Sequence, residues 1–274
     1  MKIERKIDGI SLELGESPVW VKHLHKFFFI DIRNPKIYSY EPFERKLQTF
    51  SSPFCFSCID YVGKNLFLLA SGNKILKTDD KFQDFKEHCT VDFNLVGKRF
   101  NDGSFDGFGN FWISGIQSNG DNLSSIFKIS LNKKIEIFEK NSIKLGNGID
   151  WSPNKQLMYF NDSKAKLTYC FNFDKNKQVL SNKKIFFDFN DFFGEPDGLT
   201  VDADGALWIP VWDAGIITKI SKNGELLNSY NIPSLRPTSV SFANDNKNTM
   251  LITTAQLDVN RTTVDGSIFI GTKN

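Results

Sequence analysis

The chain has 274 residues, enough to bury a sizeable core as one domain over residues 1–274, and all-β domains often reach this length undivided. Lys and Arg total 34 against 32 Asp and Glu, so no basic excess marks a polyanion surface, and nucleic acid is excluded as an expected partner. The amino terminus is charged and lacks an apolar signal core, and no stretch approaches the roughly 20 apolar residues of a membrane span, so a cytoplasmic protein away from membranes is expected.

In chain order, short apolar segments recur between Gly, Asn and Asp corners. A first strand is expected over residues 2–7. The first full unit opens near Glu16, and His23 and His25 flank a turn before a strand over residues 27–32. The second opens near Ser57. There Cys55-Phe56-Ser57-Cys58 has the spacing of a zinc knuckle or redox pair, but no second pair and no βαβ setting accompanies it, so a buried structural strand is expected. Later units open near Asn101, Asn147, Asp197 and Pro237, and the corners Gly109-Asn110 and Asp204-Gly205 suit antiparallel hairpins. Residues 172–184, rich in Lys and Asn, read as a solvated hairpin tip or blade connection, and a last strand is expected over residues 267–271.

Six units spaced by roughly 40 to 50 residues match the period of a four-stranded blade. The predicted fold is therefore an all-β, six-bladed β-propeller whose first and last strands complete the closing blade. Cys55, Cys58, Cys89 and Cys170 are expected as free thiols, since a large cytosolic domain needs no disulfide staples. His23, His25 and His88 show no ligand spacing and read as solvated or locally hydrogen-bonded.

Four units place a carboxylate or amide just before the innermost strand: Glu16, Asn101, Asn147 and Asp197. In a propeller these strand ends converge on one mouth of the central channel, making distant residues neighbours. Gathered carboxylates repel one another unless a cation neutralises them, which points to one divalent metal ion. Oxygen ligands suit Ca2+, Mg2+ or Mn2+, and carboxylates also bind Zn2+ and Fe2+. Taken singly, Asn147-Gly148 and Pro196-Asp197-Gly198 are turn sequences, and Glu16 could brace a turn; their recurrence at equivalent places sets them apart. Trp20, Trp112, Trp151, Trp208 and Trp212 read as blade packing, with Trp212, near the mouth by its place in the repeat, also a candidate stacking face for a ligand.

The motifs Gly15-Glu16-Ser17-Pro18-Val19-Trp20, Arg99-Phe100-Asn101-Asp102-Gly103, Asn147-Gly148-Ile149-Asp150-Trp151 and Pro196-Asp197-Gly198-Leu199, with Arg236-Pro237-Thr238-Ser239 closing, fall in blade-sized order. Together they resemble the ordered motifs of the regucalcin, senescence marker protein and gluconolactonase family across nearly the whole chain. The resemblance implies that Glu16, Asn147 and Asp197 coordinate the divalent ion and that Arg99 and Asn101 hold substrate oxygens. It implies a metal-dependent lactonase that opens sugar lactones by hydrolysis; the mechanism that follows from an oxygen-lined cation has Asp197 accept a proton from the attacking water and Asp102 orient a metal-bound water. Two stretches depart from the family pattern. Residues 113–121 hold no carboxylate before Asp121, where the family places an acidic substrate contact, and Ile209–Gly215 is a variant of a Trp-Gly-Gly-Gly neighbourhood. The pocket wall is therefore expected to differ, and with it the choice of lactone.

Other catalytic classes lack their signatures: there is no GxSxG elbow, no GxGxxG after a strand and no phosphate-cradling GxxxxGK[ST]. Two competitors stand beside the lactonase reading: an organophosphate or phosphoester hydrolase on the same propeller, and a metal-binding or interaction propeller without turnover. In each case Arg99 has the alternative role of a structural ion-pair partner. A monomer or weak dimer with a small-molecule lactone as its partner is the expected working form.

Overall fold

The computed structural model describes residues 1–274 except 93, 95, 96, 98, 117–122, 244–247, 258–263 and 274. Its strands group into six antiparallel sheets in chain order. After β1 (Lys2–Lys6) come β2 (Gly15–Val21), β3 (Lys26–Asp31), β4 (Lys36–Glu41) and β5 (Lys46–Ser51) in blade one. Blade two holds β6 (Cys58–Gly63), β7 (Leu66–Ser71), β8 (Lys74–Thr78) and β9 (Lys86–Thr90). Blade three holds β10 (Arg99–Phe105), β11 (Asn110–Ile116), β12 (Ser124–Ser130) and β13 (Ile135–Ile143). In blade four β14 (Gly146–Trp151), β15 (Leu157–Asp162), β16 (Leu167–Asp174) and β17 (Val179–Asp188) follow. The inner strand of blade five is split into β18 (Glu195–Pro196) and β19 (Thr200–Val201), both paired with β20 (Leu207–Trp212), then β21 (Ile216–Ile220) and β22 (Leu226–Asn231). Blade six is β23 (Pro237–Phe242), β24 (Thr249–Thr254) and β25 (Phe269–Thr272), and β1 pairs with β25 as its outer strand. The six-bladed propeller and its closure by the two ends are as the repeat predicted.

The runs of consecutive apolar residues have a packing cause. Side chains alternate between the two faces of a strand, and a middle strand of a blade is covered on both. In β3, Phe28 and Ile30 pack with Phe67 and Leu69 of blade two, whereas Phe27 and Phe29 pack with Leu251 and Ile270 of blade six. The same division in every blade gives six apolar clusters, one per interface between neighbours. Each fully buried Phe contributes roughly 1.5–3 kcal/mol to holding that ring. Trp112 and Trp208 anchor blades three and five, and each indole N–H donates to the corner aspartate six residues earlier, Asp106 at 3.1 Å and Asp202 at 2.9 Å. The hairpin between β16 and β17 accounts for the polar stretch over residues 172–184.

The cysteine expectation needs one correction. Cys58 begins β6 and is fully buried, but Cys55 is exposed because it lies in the connection between β5 and β6, outside both blades' ladders. All four thiols are free. His23 and His25 are exposed at the short 3-10 turn Lys22–Leu24, and His25 takes the left-handed conformation that ends it. His88 is buried and its Nε2 lies 2.9 Å from the carbonyl of Ser130, so its hydrogen bond reaches the next blade rather than its own turn.

Candidate functional site

The inner strands do more than line the channel. Their register with the second strand slips between Glu16 and Val19, Phe100 and Gly103, Gly146 and Ile149, and Pro237 and Ser239. In blade five the ladder breaks altogether between Pro196 and Thr200. A bulge bends its strand and re-aims side chains that a regular strand would send into the blade interfaces. Glu16, Asn101, Asn147 and Asp197 all sit at these bulges. Blade two keeps its register until Tyr61, and its opening residue is Ser57.

Gly148 and Gly198 belong to the same device. A Cβ on Gly148 would lie 2.2 Å from the amide nitrogen of Leu199, so the dipeptide that reads as a turn is instead a close approach of two inner strands. That approach carries hydrogen bonds between blades: Gly148 N–H donates to the Asp197 carbonyl at 3.1 Å, and Gly198 N–H to the Thr238 carbonyl at 2.8 Å.

At one end of the channel a cavity of about 460 Å3 gathers Glu16, Arg99, Asn101, Asn147, Asp197 and Trp212. Glu16 and Asn147 are 7 % exposed and Asp197 is 6 % exposed, so the oxygen donors lie at its floor. The Asn147 amide nitrogen donates to Ser163 Oγ at 3.1 Å, and Ser163 Oγ donates to the Pro196 carbonyl at 2.6 Å. Asn147 also lies within hydrogen-bonding reach of Asp197. Asn161 holds the Asp197 backbone by donating to its carbonyl at 2.8 Å, and Thr168 fixes Asn161 in turn at 2.6 Å.

Asn101 is held from both ends. Its Nδ2 donates to the Gly146 carbonyl at 2.8 Å, and its Oδ1 accepts from Arg99 at 2.6 Å. Trp212 lines the cavity, and the Arg236 guanidinium covers its ring at 4.6 Å while pairing with Asp213.

The floor is electrostatically loaded. Burial first, then the neighbouring Asp197 and Asp102, pushes Glu16 well above the usual carboxylate range. Asp197 is likewise pushed far up, by burial and then by Asp102. Arg99 is the cation set against them, and burial lowers it to about 10 despite Glu16. Ionising both carboxylates on the buried floor is therefore costly, a cost that a bound cation relieves. Among the described residues no three His, Cys, Asp or Glu side chains form a metal-ligand cluster, and the Glu16–Asn147–Asp197 set has two such residues and an amide.

A second cavity of about 380 Å3 is lined by later residues of the inner strands, among them Asp60, Asp102 and Asp150. Asp60 accepts from Tyr61 and Phe105 N–H, each at 2.7 Å, and Asp150 from Trp151 and Val201 N–H, each at 2.7 Å. Each thus ties its blade to the next. Asp102 accepts from Gly103 N–H at 2.8 Å and lies 3.7 Å from Cys58 Sγ; it faces this cavity while repelling charge on Glu16 and Asp197.

Sequence reasoning missed Arg33, Ser163, Lys164 and Glu195 of the first cavity. A signal was present: Asp31-Ile32-Arg33 and Asp162-Ser163-Lys164 begin on the last residue of the second strand in blades one and four. Asp31 accepts from Glu13 and Leu14 N–H as Asp162 does from Lys144 and Leu145 N–H, so each fixes the entry to its inner strand. Asp121 lies outside the described residues.

Comparison with known proteins agrees with this architecture. Regucalcin of Xenopus laevis is 26% identical over 251 residues, covering 89% of this chain and 83% of that one. A 6-deoxy-6-sulfogluconolactonase of Pseudomonas putida is 23% identical over 244 residues, covering 89% and 84%. The crystal structure of a calcium-binding regucalcin from Agrobacterium tumefaciens superposes with a TM-score of 0.89 at 21% identity, covering 98% of this chain and 93% of that one. The profile of the SMP-30/Gluconolactonase/LRE-like region matches residues 14–256, and the chain belongs to that family.

Proposed function

We propose that this chain, as one domain over residues 1–274, is a metal-dependent lactonase that opens sugar lactones to the corresponding acids. The observation that carries the reading is the buried oxygen floor of the cavity, where Glu16 and Asp197 repel one another and Asn147 spends its N–H on Ser163, leaving its carbonyl oxygen for a ligand. The family and its gluconolactonase relatives support the substrate class. Glu16, Asn147 and Asp197 would hold the ion, and an all-oxygen donor set fits Ca2+, Mg2+ or Mn2+, with Zn2+ and Fe2+ as further candidates. When bound, such an ion polarises the lactone carbonyl and acidifies a water molecule.

The protein's own residues do the rest. Asp197 takes a proton from the attacking water, whose oxygen bonds to the carbonyl carbon. The ring C–O bond breaks, and the proton passes to the departing ring oxygen, leaving a hydroxyl and a carboxylic acid that ionises. Arg99 donates hydrogen bonds to the oxygen that gains charge, and Asn101 acts on the substrate through the guanidinium it fixes. Asp102, below the floor, sets the field in which that water is oriented. Trp212 and the apolar wall of Leu14, Ile116 and Leu145 exclude bulk water from the ring.

The test is hydrolysis of aldono-1,4- and 1,5-lactones by metal-stripped protein with each divalent ion restored in turn. Turnover that requires the ion is expected. Phosphotriester rates above lactone rates would favour the phosphoester hydrolase, and ion binding without any turnover would favour a binding propeller.

A further inference from the structure

Arg33 stands apart from the other cations of the cavity. It follows β3 in blade one, the place that Lys164 takes after β15 in blade four, and a six-bladed ring sets blades one and four opposite each other. Both side chains line the cavity of the oxygen floor. Lys164 is already paired with Glu195 at 2.7 Å. The Arg33 side chain has no acidic, carbonyl or aromatic partner among the described residues, and only its backbone N–H is engaged, by Asp31 at 3.0 Å.

Depth and charge give this cation a task. The oxygen donors lie buried, Arg99 is half-buried, and Arg33 is exposed at the rim. Glu16, Glu195 and Asp197 balance Arg33, Arg99 and Lys164 among the described lining residues, so a divalent ion on the floor leaves two positive charges in excess. The two guanidiniums also repel each other, since Arg33 opposes the positive charge on Arg99. Two like charges facing one cavity are relieved by an anion between them, and guanidinium presents a planar fork to carboxylate, sulfonate or phosphate oxygens.

We propose that Arg33 is a specificity-determining residue that binds an anionic group at the far end of the lactone, making the substrate an acidic sugar lactone. The inference rests on the lactonase reading for where the ring sits: a carbonyl at the floor directs the distal carbon of the sugar toward the rim.

The test compares the metal-loaded full chain on neutral D-glucono-1,5-lactone, 6-phospho-D-glucono-1,5-lactone and D-glucaro-1,4-lactone, the last two separating a phosphate from a carboxylate. At least one anionic lactone is expected to exceed the neutral one in kcat/KM by about tenfold at low salt. That preference should shrink at about 0.5 M salt, because Arg33 is exposed to screening. Arg33→Gln should cut the anionic-to-neutral ratio by about tenfold, chiefly through KM, and Arg33→Lys should restore part of it. A wild-type ratio near one, or a ratio unmoved by Arg33→Gln, overturns the proposal. Calorimetric binding of 6-phospho-D-gluconate against D-gluconate gives a readout free of turnover, with the same fall expected in Arg33→Gln. Absence of turnover on every lactone would sink the lactonase reading, and the binding ratio would still decide the role of Arg33.

Discussion

The two cavities of the channel hold similar numbers of carboxylates and treat them differently. In the second cavity Asp60 and Asp150 each accept two backbone N–H groups, one of them from the neighbouring blade, so their oxygens are spent on holding blades together. At the floor of the first, the one hydrogen bond that Glu16 accepts among the described residues comes from the N–H of Ser17, at 3.2 Å, and Asp197 faces Asn147 and the charge of Asp102. Burial raises the pKa on both sides, so a raised pKa does not by itself mark chemistry. What separates the regions is whether hydrogen bonds saturate the carboxylate, and the bulges decide that by turning the floor residues away from the ladder.

The largest expected effect would break this contrast at the floor. Asp197→Ala should lose bound metal and turnover together. Asp197→Asn keeps an oxygen donor but no base, so weak metal binding should survive while turnover falls by about 10²- to 10⁴-fold. Arg99→Ala should keep its metal and lose about 2–4 kcal/mol of transition-state stabilisation. Metal content measured beside lactone hydrolysis separates these cases. Full turnover by metal-loaded Asp197→Asn would remove Asp197 as the base, and unchanged kinetics in Arg99→Ala would return Arg99 to a structural role.

The staple side of the contrast predicts a stability effect of intermediate size. Asp60→Ala leaves the Phe105 N–H without its acceptor and should cost about 1–3 kcal/mol, with metal content unchanged. The pH dependence has a definite sign. Burial raises Asp60 from its ordinary 3.8 to about 6, so the folded state holds the extra proton between those values. The stability this gives is present below that window and lost as pH rises through it. Asp60→Asn has no such proton to lose, so relative to the wild type it should gain stability between about pH 5 and about pH 7. Urea denaturation at the two pH values measures this, and parallel slopes in the two proteins would refute it.

Much of this contrast could be read before any coordinates. The blade period, the closure by both ends and the meeting of Glu16, Asn147 and Asp197 in one cavity with Arg99 and Asn101 follow from motifs recurring at blade-sized spacing. The bulges could not be read, because a register slip depends on what the partner strand offers and leaves no periodic trace in the inner strand. Arg33, Lys164 and Glu195 were missed for a related reason: Arg33 and Lys164 sit in connections just past β3 and β15, Glu195 opens the two-residue strand β18, and only closure of the ring brings blades one, four and five to the same mouth. Asn101 shows the limit most plainly. Its residue type fits a substrate contact, yet a bond to Gly146 in the next blade and another to Arg99 occupy it.

The smallest expected effect separates two cysteines that the sequence treats as a pair. Cys58 is buried beside Asp102, and its thiol donates to the Gly103 carbonyl at 3.1 Å, between blades two and three. Burial, then the charge of Asp102, pushes that thiol well above its ordinary range, so it stays protonated and inert toward electrophiles. Cys58→Ala should cost about 1–2 kcal/mol through lost packing at the interface. Cys55, exposed before β6, should tolerate the same change at under about 0.5 kcal/mol and react first with an alkylating reagent in the native protein. Metal stoichiometry should be the same in both variants and in the double variant. Loss of a bound ion on changing either cysteine would mean that the two-residue spacing marks a metal site after all, and equal alkylation rates at both would mean that the interface holding Cys58 opens far more readily than its packing implies.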